Sequence, residues 1–253
     1  MTKSHGRIPM LVRAALAAFF SLTVALSAAA ESGDGPGSQD TPLSDPARPD
    51  ADRDRDPGSR PLEVYAWAGI EPGMVVADLM PFSGYNSHLL GHVVGPSGTV
   101  LAPWAFSDAA VEALEGRFEE AGLSNVRPMR DVSDVADDSI DLWLTVRNLH
   151  DLLIPSIGEQ FGFDGDHVMA EMLRTLKPGG SLIVVDARTL GGGLDAQTHR
   201  LHEDHAIEVL EAAGFEFVEG SELLRVEDDD YGEMGFPTRY DVDRFLLRMR
   251  KPS

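Results

Sequence analysis

The chain has 253 residues, no cysteine, and 42 acidic side chains against 21 Lys plus Arg, a formal net charge of −21 at neutral pH. A surface this acidic repels phosphate backbones and excludes nucleic acid as a partner. The lack of cysteine excludes disulfides, thiolate nucleophiles, thiolate zinc sites and a lipoprotein anchor, while a hydrophobic fraction of 43% is enough for the core of one domain.

Lys3, Arg7 and Arg13 form a basic stretch, Ala14 to Ala28 a short apolar run, and Ala28-Ala29-Ala30 a small-residue cleavage site before Glu31. The pattern predicts a secretory signal peptide over residues 1–30. Its apolar run is well short of the roughly 20 residues a membrane span needs. The mature protein is therefore expected to be exported, periplasmic or extracellular, with no stable membrane insertion. Glu31 to Arg60 is rich in Gly, Pro, Ser, Asp and Arg. With almost no large apolar side chains to offset its ordering entropy, it is expected to be a disordered linker. The folded domain is expected over 61–253.

Leu62 to Ile70 predicts a short helix closed by Gly69, and Glu71-Pro72-Gly73 turns into a first strand, Val75 to Leu79. After the loop Met80-Pro81-Phe82-Ser83-Gly84, the apolar positions Leu89, Leu90, Val93 and Val94 predict a helix stopped by Gly95-Pro96, and Gly98 to Ala102 a second strand. Ser107 suits the N-cap of a helix with Val111, Leu114, Phe118 and Ala121 inward. Asn125 to Met129 is a third strand. Ser139 to Val146 is a fourth, with Ile140, Leu142, Leu144 and Val146 on one face and Trp143 on the other. Arg147 to Gly165 reads as a long loop, and Asp166 as the cap of a helix that ends at Lys177-Pro178-Gly179-Gly180. Ser181 to Ala187 is a fifth strand and Glu203 to Ala213 a helix. Phe215 to Val218 and Val242 to Met249 close the sheet as an antiparallel edge hairpin around an acidic loop. Alternating strands and helices predict an α/β fold with a doubly wound, mostly parallel sheet.

Several segments carry a family likeness: the strand–loop–helix from Val75, the turns Asp137-Asp138-Ser139-Ile140 and Leu176-Lys177-Pro178-Gly179-Gly180, the Asn148-Leu149-His150-Asp151-Leu152 and His199-Arg200-Leu201 segments, and Asp243-Arg244-Phe245. From Pro61 to Lys251 the chain resembles class I S-adenosylmethionine-dependent methyltransferases and, more narrowly, a group of secreted predicted methyltransferases of unknown substrate. The resemblance implies a Rossmann-like seven-stranded sheet in the order 3-2-1-4-5-7-6. It also implies S-adenosylmethionine as cofactor and methyl transfer to a small molecule. The family's first motif runs acid-x-Gly-x-Gly-x-Gly; here Asp78 and Gly84 match, and Met80 and Phe82 stand where glycines are usual. The resemblance places Asp78, Ser83, Gly84, Tyr85 and Asn148 at the cofactor, Asp131 near the adenine, and Trp104 where an acid normally meets the ribose. Asp78 has a plain alternative as a loop-capping acid.

His150, after the fourth strand, and His199 are the candidate bases, since an imidazole there deprotonates a hydroxyl near neutral pH; the alternative for His150 is an anchor for the long loop. His199, His202 and His205 have metal-like spacing, but a helix starting at Glu203 breaks their common face, so no metal site is assigned. Two further readings stay open: a non-catalytic ligand-binding protein on a degenerate scaffold, and a metal-binding protein using His150, His199 and His202. Glu227 with Asp228-Asp229-Asp230 lacks the alternation of a calcium loop and reads as a solvated charge run. Ser107 and Ser133 lack the context of a hydrolase nucleophile.

Overall fold

The structure is a computed structural model and describes residues 41–234 and 241–253. The expected signal peptide and residues 31–40 of the expected linker lie outside the described residues. The remainder of that linker is ordered. A 3-10 turn (Pro42–Ser44) leads to α1 (Asp50–Ser59) and α2 (Pro61–Ala68). Polar contacts, not apolar burial, hold α1. Arg48 makes two bonds to Asp56 at 2.8 and 2.6 Å, Arg117 pairs with Asp52, and Tyr85 donates to Asp56 at 2.7 Å. Gly69, at φ 72°, ends α2 as expected.

The chain then alternates: β1 (Val75–Asp78), α3 (Tyr85–Val94), β2 (Thr99–Ala102), α4 (Asp108–Glu120), β3 (Val126–Pro128) and β4 (Ile140–Val146). Ser107 caps α4 by accepting from the Ala110 backbone at 3.1 Å. The stretch after β4, expected as loop, winds into α5 (Leu149–Leu152) and α6 (Pro155–Phe161), the latter opened by a proline at its first position, where no backbone donor is needed. In α7 (Gly165–Thr175) the cap is Asp164, not Asp166: its carboxylate accepts from the His167 backbone at 2.8 Å. β5 (Leu176–Ala187) is followed by a small hairpin, β6 (Leu194–Asp195) and β7 (Arg200–Leu201), then α8 (Glu203–Ala212), β8 (Glu216–Ser221) and β9 (Arg244–Arg250).

The seven-stranded sheet runs β3-β2-β1-β4-β5-β9-β8. The first five strands are parallel, and β9 lies antiparallel between β5 and β8. This is the doubly wound Rossmann-like sheet with an antiparallel edge hairpin, in the expected order. Alternate side chains feed two cores. Ala77, Trp143, Leu182 and Val184 point to one, and Val76, Leu142, Leu144, Ile183 and Val185 to the other. Each large apolar side chain buried this way contributes about 1.5–3 kcal/mol. Ile140 departs from the expected face and joins Trp143, because the β4–β5 register shifts between Ile140 and Leu142. β1, β4 and β5 are parallel and the order of strand addition reverses between β1 and β4, so the carboxyl ends of these strands flank the crevice where such sheets take ligands. The described residues belong to one unit, Ser38–Ser253, and none of their helices is long and apolar enough to cross a membrane.

Candidate functional site

Three residues of the β1–α3 loop take left-handed backbone: Met80 at φ 51°, Phe82 at φ 47° and Gly84 at φ 86°. These are the positions of the glycines in the motif that the sequence resembles, and the backbone at all three lies where glycine is favoured, with bulkier residues at two of them. An L-residue there costs about 1–2 kcal/mol. Met80 turns inward to the core of Leu101, Trp104 and Trp143. Phe82 turns outward, 46% exposed, 5.9 Å from the Phe106 ring. At Gly84 a side chain has no room: a Cβ would lie 2.8 Å from Leu114 and 2.9 Å from Phe118.

Asp78, at the tip of β1, is fully buried, and its Oδ2 accepts from the Ser87 hydroxyl at 2.5 Å. Burial pushes its carboxyl up to about 6, with the Ser87 hydrogen bonds pulling the other way. It faces the first turn of α3. A cavity of about 190 Å³ opens beside the loop, walled by Met80, Phe82, Ser83, Tyr85, Arg147 and Asn148, with Arg55 of α1 over it. The Arg55 guanidinium stacks 3.8 Å from the centre of the Tyr85 ring. Asn148 donates through Nδ2 to the Leu79 carbonyl at 2.7 Å; its Oδ1 is buried with no hydrogen-bond partner. A larger cavity, about 500 Å³, is walled by Trp104, Asp131, Ser133 and Phe163. Trp104 is itself nearly buried and packs 6.1 Å from Trp143. Asp131 accepts from the Ser133 backbone at 2.8 Å and hydroxyl at 2.6 Å, which holds its carboxyl below the usual range. Thus Ser83, Tyr85 and Asn148 meet at the smaller cavity, Trp104 and Asp131 at the larger, Gly84 caps α3, and Asp78 lies behind the loop.

A second constellation sits at the ends of β4 and β5. His150 is fully buried. Its backbone N–H donates to Asp186 Oδ2 at 2.9 Å and its Nδ1 to Asp186 Oδ1 at 2.7 Å. On the other side, Nε2 lies 3.1 Å from Asp151 Oδ1 but off the hydrogen-bond direction, which leaves it without a hydrogen-bond partner. Burial alone would push the His150 pKa down; Asp186 and Asp151 outweigh it and raise it to about 10. The two carboxylates thus favour the protonated ring, the opposite direction from that of the free base expected of it. His199 follows on the β6–β7 turn at φ 52°, partly exposed. Its Nδ1 is 3.2 Å from Asp151 Oδ1, and its ring lies edge-on to His150 with centres 5.1 Å apart.

The structure thus brings the two candidate histidines together. Asp186 was not singled out from the sequence; its signal was an acid closing an apolar strand, as Asp78 does. His202 instead caps α8, its Nδ1 accepting from the Asp204 backbone at 3.3 Å, and His205 faces Glu208 at 3.6 Å. The histidine set expected for a metal-binding protein therefore does not converge. The acidic run also differs from expectation: Asp229 is buried against Arg200, at 2.9 and 3.1 Å, and accepts from the Tyr231 and Asp243 backbones.

No protein-family model matches the chain, and no curated protein does. Solved structures similar to it include a SAM-dependent methyltransferase from Aquifex aeolicus, with TM-score 0.58 and 20% identity over 78% of this chain and 92% of that one. Another is the 1,6-didemethyltoxoflavin-N1-methyltransferase of Burkholderia thailandensis, with 1,6-didemethyltoxoflavin and S-adenosylhomocysteine bound. It has TM-score 0.53 and 18% identity over 79% of this chain and 78% of that one. The [4+2]-cyclase SpnF matches with TM-score 0.56 and 20% identity over 80% and 82%. At these identities the likeness is one of fold.

Proposed function

We propose that the chain binds S-adenosylmethionine beside the tip of β1 and transfers its methyl group to a small molecule. The observation that carries the reading is the loop itself: residues 80, 82 and 84, the motif's three glycine positions, all have the left-handed backbone that glycine favours although two of them are not glycine. The residues around it fit the group. Asn148 Oδ1 is a buried acceptor with no partner, on the wall of the 190 Å³ cavity, and suits an ammonium. Arg55 and Arg147 on the same wall suit a carboxylate. A ligand of that size class needs about 300–1,000 Å³, so the smaller cavity takes the amino-acid end and the 500 Å³ cavity, with Trp104 and Asp131, the adenosine end. The cofactor supplies an electrophilic methyl on a sulfonium.

The chain's own residues orient and enclose. Phe82 lines the smaller cavity and lies 5.9 Å from the Phe106 ring, which lies 6.2 Å from Phe163 on the larger one. The His150–Asp151–His199 cluster, at the ends of the strands flanking the crevice, receives the acceptor, with His199 as its half-buried, solvent-facing member. Most of the rate then comes from alignment of donor and acceptor. Irradiation of the protein with methyl-labelled S-adenosylmethionine tests this without knowledge of the acceptor. Label should enter peptides 80–86 or 147–153 and be displaced by S-adenosylhomocysteine; label that is absent, or not displaced, would refute it. We further propose that the chain is exported, on the composition of residues 1–30. A mature N-terminus at Glu31 in protein recovered outside the cytoplasm checks this.

A further inference from the structure

We propose that His150 Nε2, Asp151 Oδ1 and His199 Nδ1 form a two-histidine, one-carboxylate site for a divalent transition-metal ion. Two ligand atoms at about 2.1 Å from one ion and at right angles to each other are about 3.0 Å apart. Here His150 Nε2 to Asp151 Oδ1 is 3.1 Å and His199 Nδ1 to Asp151 Oδ1 is 3.2 Å, and all three ligand atoms lie within 4.8 Å of one another. His150 Nε2 is fully buried, aims into this cluster, and has no hydrogen-bond partner. Its other nitrogen and its backbone N–H are both held by Asp186, as a carboxylate behind a metal-bound histidine holds its ring.

Asp45, His88 and His92 also come together, but there both imidazoles reach one carboxylate oxygen at 2.7 Å, hydrogen-bond geometry that accounts for itself. Nitrogen and oxygen donors in this ratio, with no sulfur, suit a borderline ion such as zinc, iron(II) or cobalt(II) rather than calcium. An imidazole nitrogen ligates a metal only without its proton, so uptake should weaken at low pH. Three protein ligands leave positions open on the His199 side. Resting on the methyltransferase reading, those positions would take an acceptor oxygen, so the substrate class is a hydroxylated or enolic small molecule whose proton the ion loosens.

The test is titration of the full chain, freed of metal by chelator, with cobalt(II), read from the visible absorption of a low-symmetry N/O site and by calorimetry with zinc. One equivalent should bind. Affinity should fall at least about tenfold in His199→Asn, a residue that tolerates the left-handed backbone at this turn, and in Asp151→Asn. It should be unchanged in His202→Ala and His92→Ala. Circular dichroism of each variant confirms folding; should Asp151→Asn unfold, His199→Asn alone decides. No uptake, uptake indifferent to His199→Asn, or uptake lost in His92→Ala would overturn the proposal. None of these readouts involves S-adenosylmethionine, so the metal site and the cofactor reading fail separately.

Discussion

The Tyr85 hydroxyl donates to Asp56 Oδ1 at 2.7 Å, and through it the first turn of α3 holds α1 against the loop that carries Met80 and Phe82. The same ring lies under Arg55, so α1 supplies one wall of the smaller cavity. Tyr85→Phe removes one partly buried hydrogen bond and should cost about 1 kcal/mol. Hydrogen exchange should speed up across residues 50–59 and stay unchanged in β1, β4 and β5.

Phe82→Gly relieves a left-handed L-residue, worth about 1–2 kcal/mol, and pays glycine's unfolded-state entropy of about 0.5–1 kcal/mol. The variant should be as stable as the parent or slightly more so by urea denaturation. With the ring gone, the smaller cavity should widen at Phe82 and S-adenosylhomocysteine should bind several-fold tighter.

Asp78 gives a pH signature. Its folded carboxyl stands at about 6 because burial penalises the charge, whereas an unfolded Asp titrates near 3.9. The folded state therefore holds the proton more tightly, and the stability this gives is present below the unfolded value and lost as pH rises through about 6. Asp78→Asn should be more stable than the parent at pH 7, by on the order of 2–3 kcal/mol for a fully buried group. The gap should close toward pH 4, as read from paired thermal melts.

The sheet was legible because short apolar runs ending in Asp78 or Asp186, and helices stopped by Gly69 or Gly95-Pro96, leave one order of elements that buries both faces. Residues 41–60 were not legible. Their order comes from partners far along the chain, such as Arg117 for Asp52 and Tyr85 for Asp56, and composition counts only apolar surface. Asp229 was misread for the same reason, its cation being Arg200 across a loop. At the site, His150 and His199 were legible as chemistry-bearing residues. The carboxylates that raise the His150 pKa, Asp186 and Asp151, meet it only through the way β4 and β5 pair.

Calorimetric titration of the full chain with S-adenosylhomocysteine, beside Asn148→Ala and His202→Ala, tests the cofactor site most directly. One saturable site should appear, weakened at least about tenfold (about 1.4 kcal/mol) by Asn148→Ala and untouched by His202→Ala. No heat at millimolar ligand, or equal binding by Asn148→Ala, would contradict the placement of the cofactor beside β1.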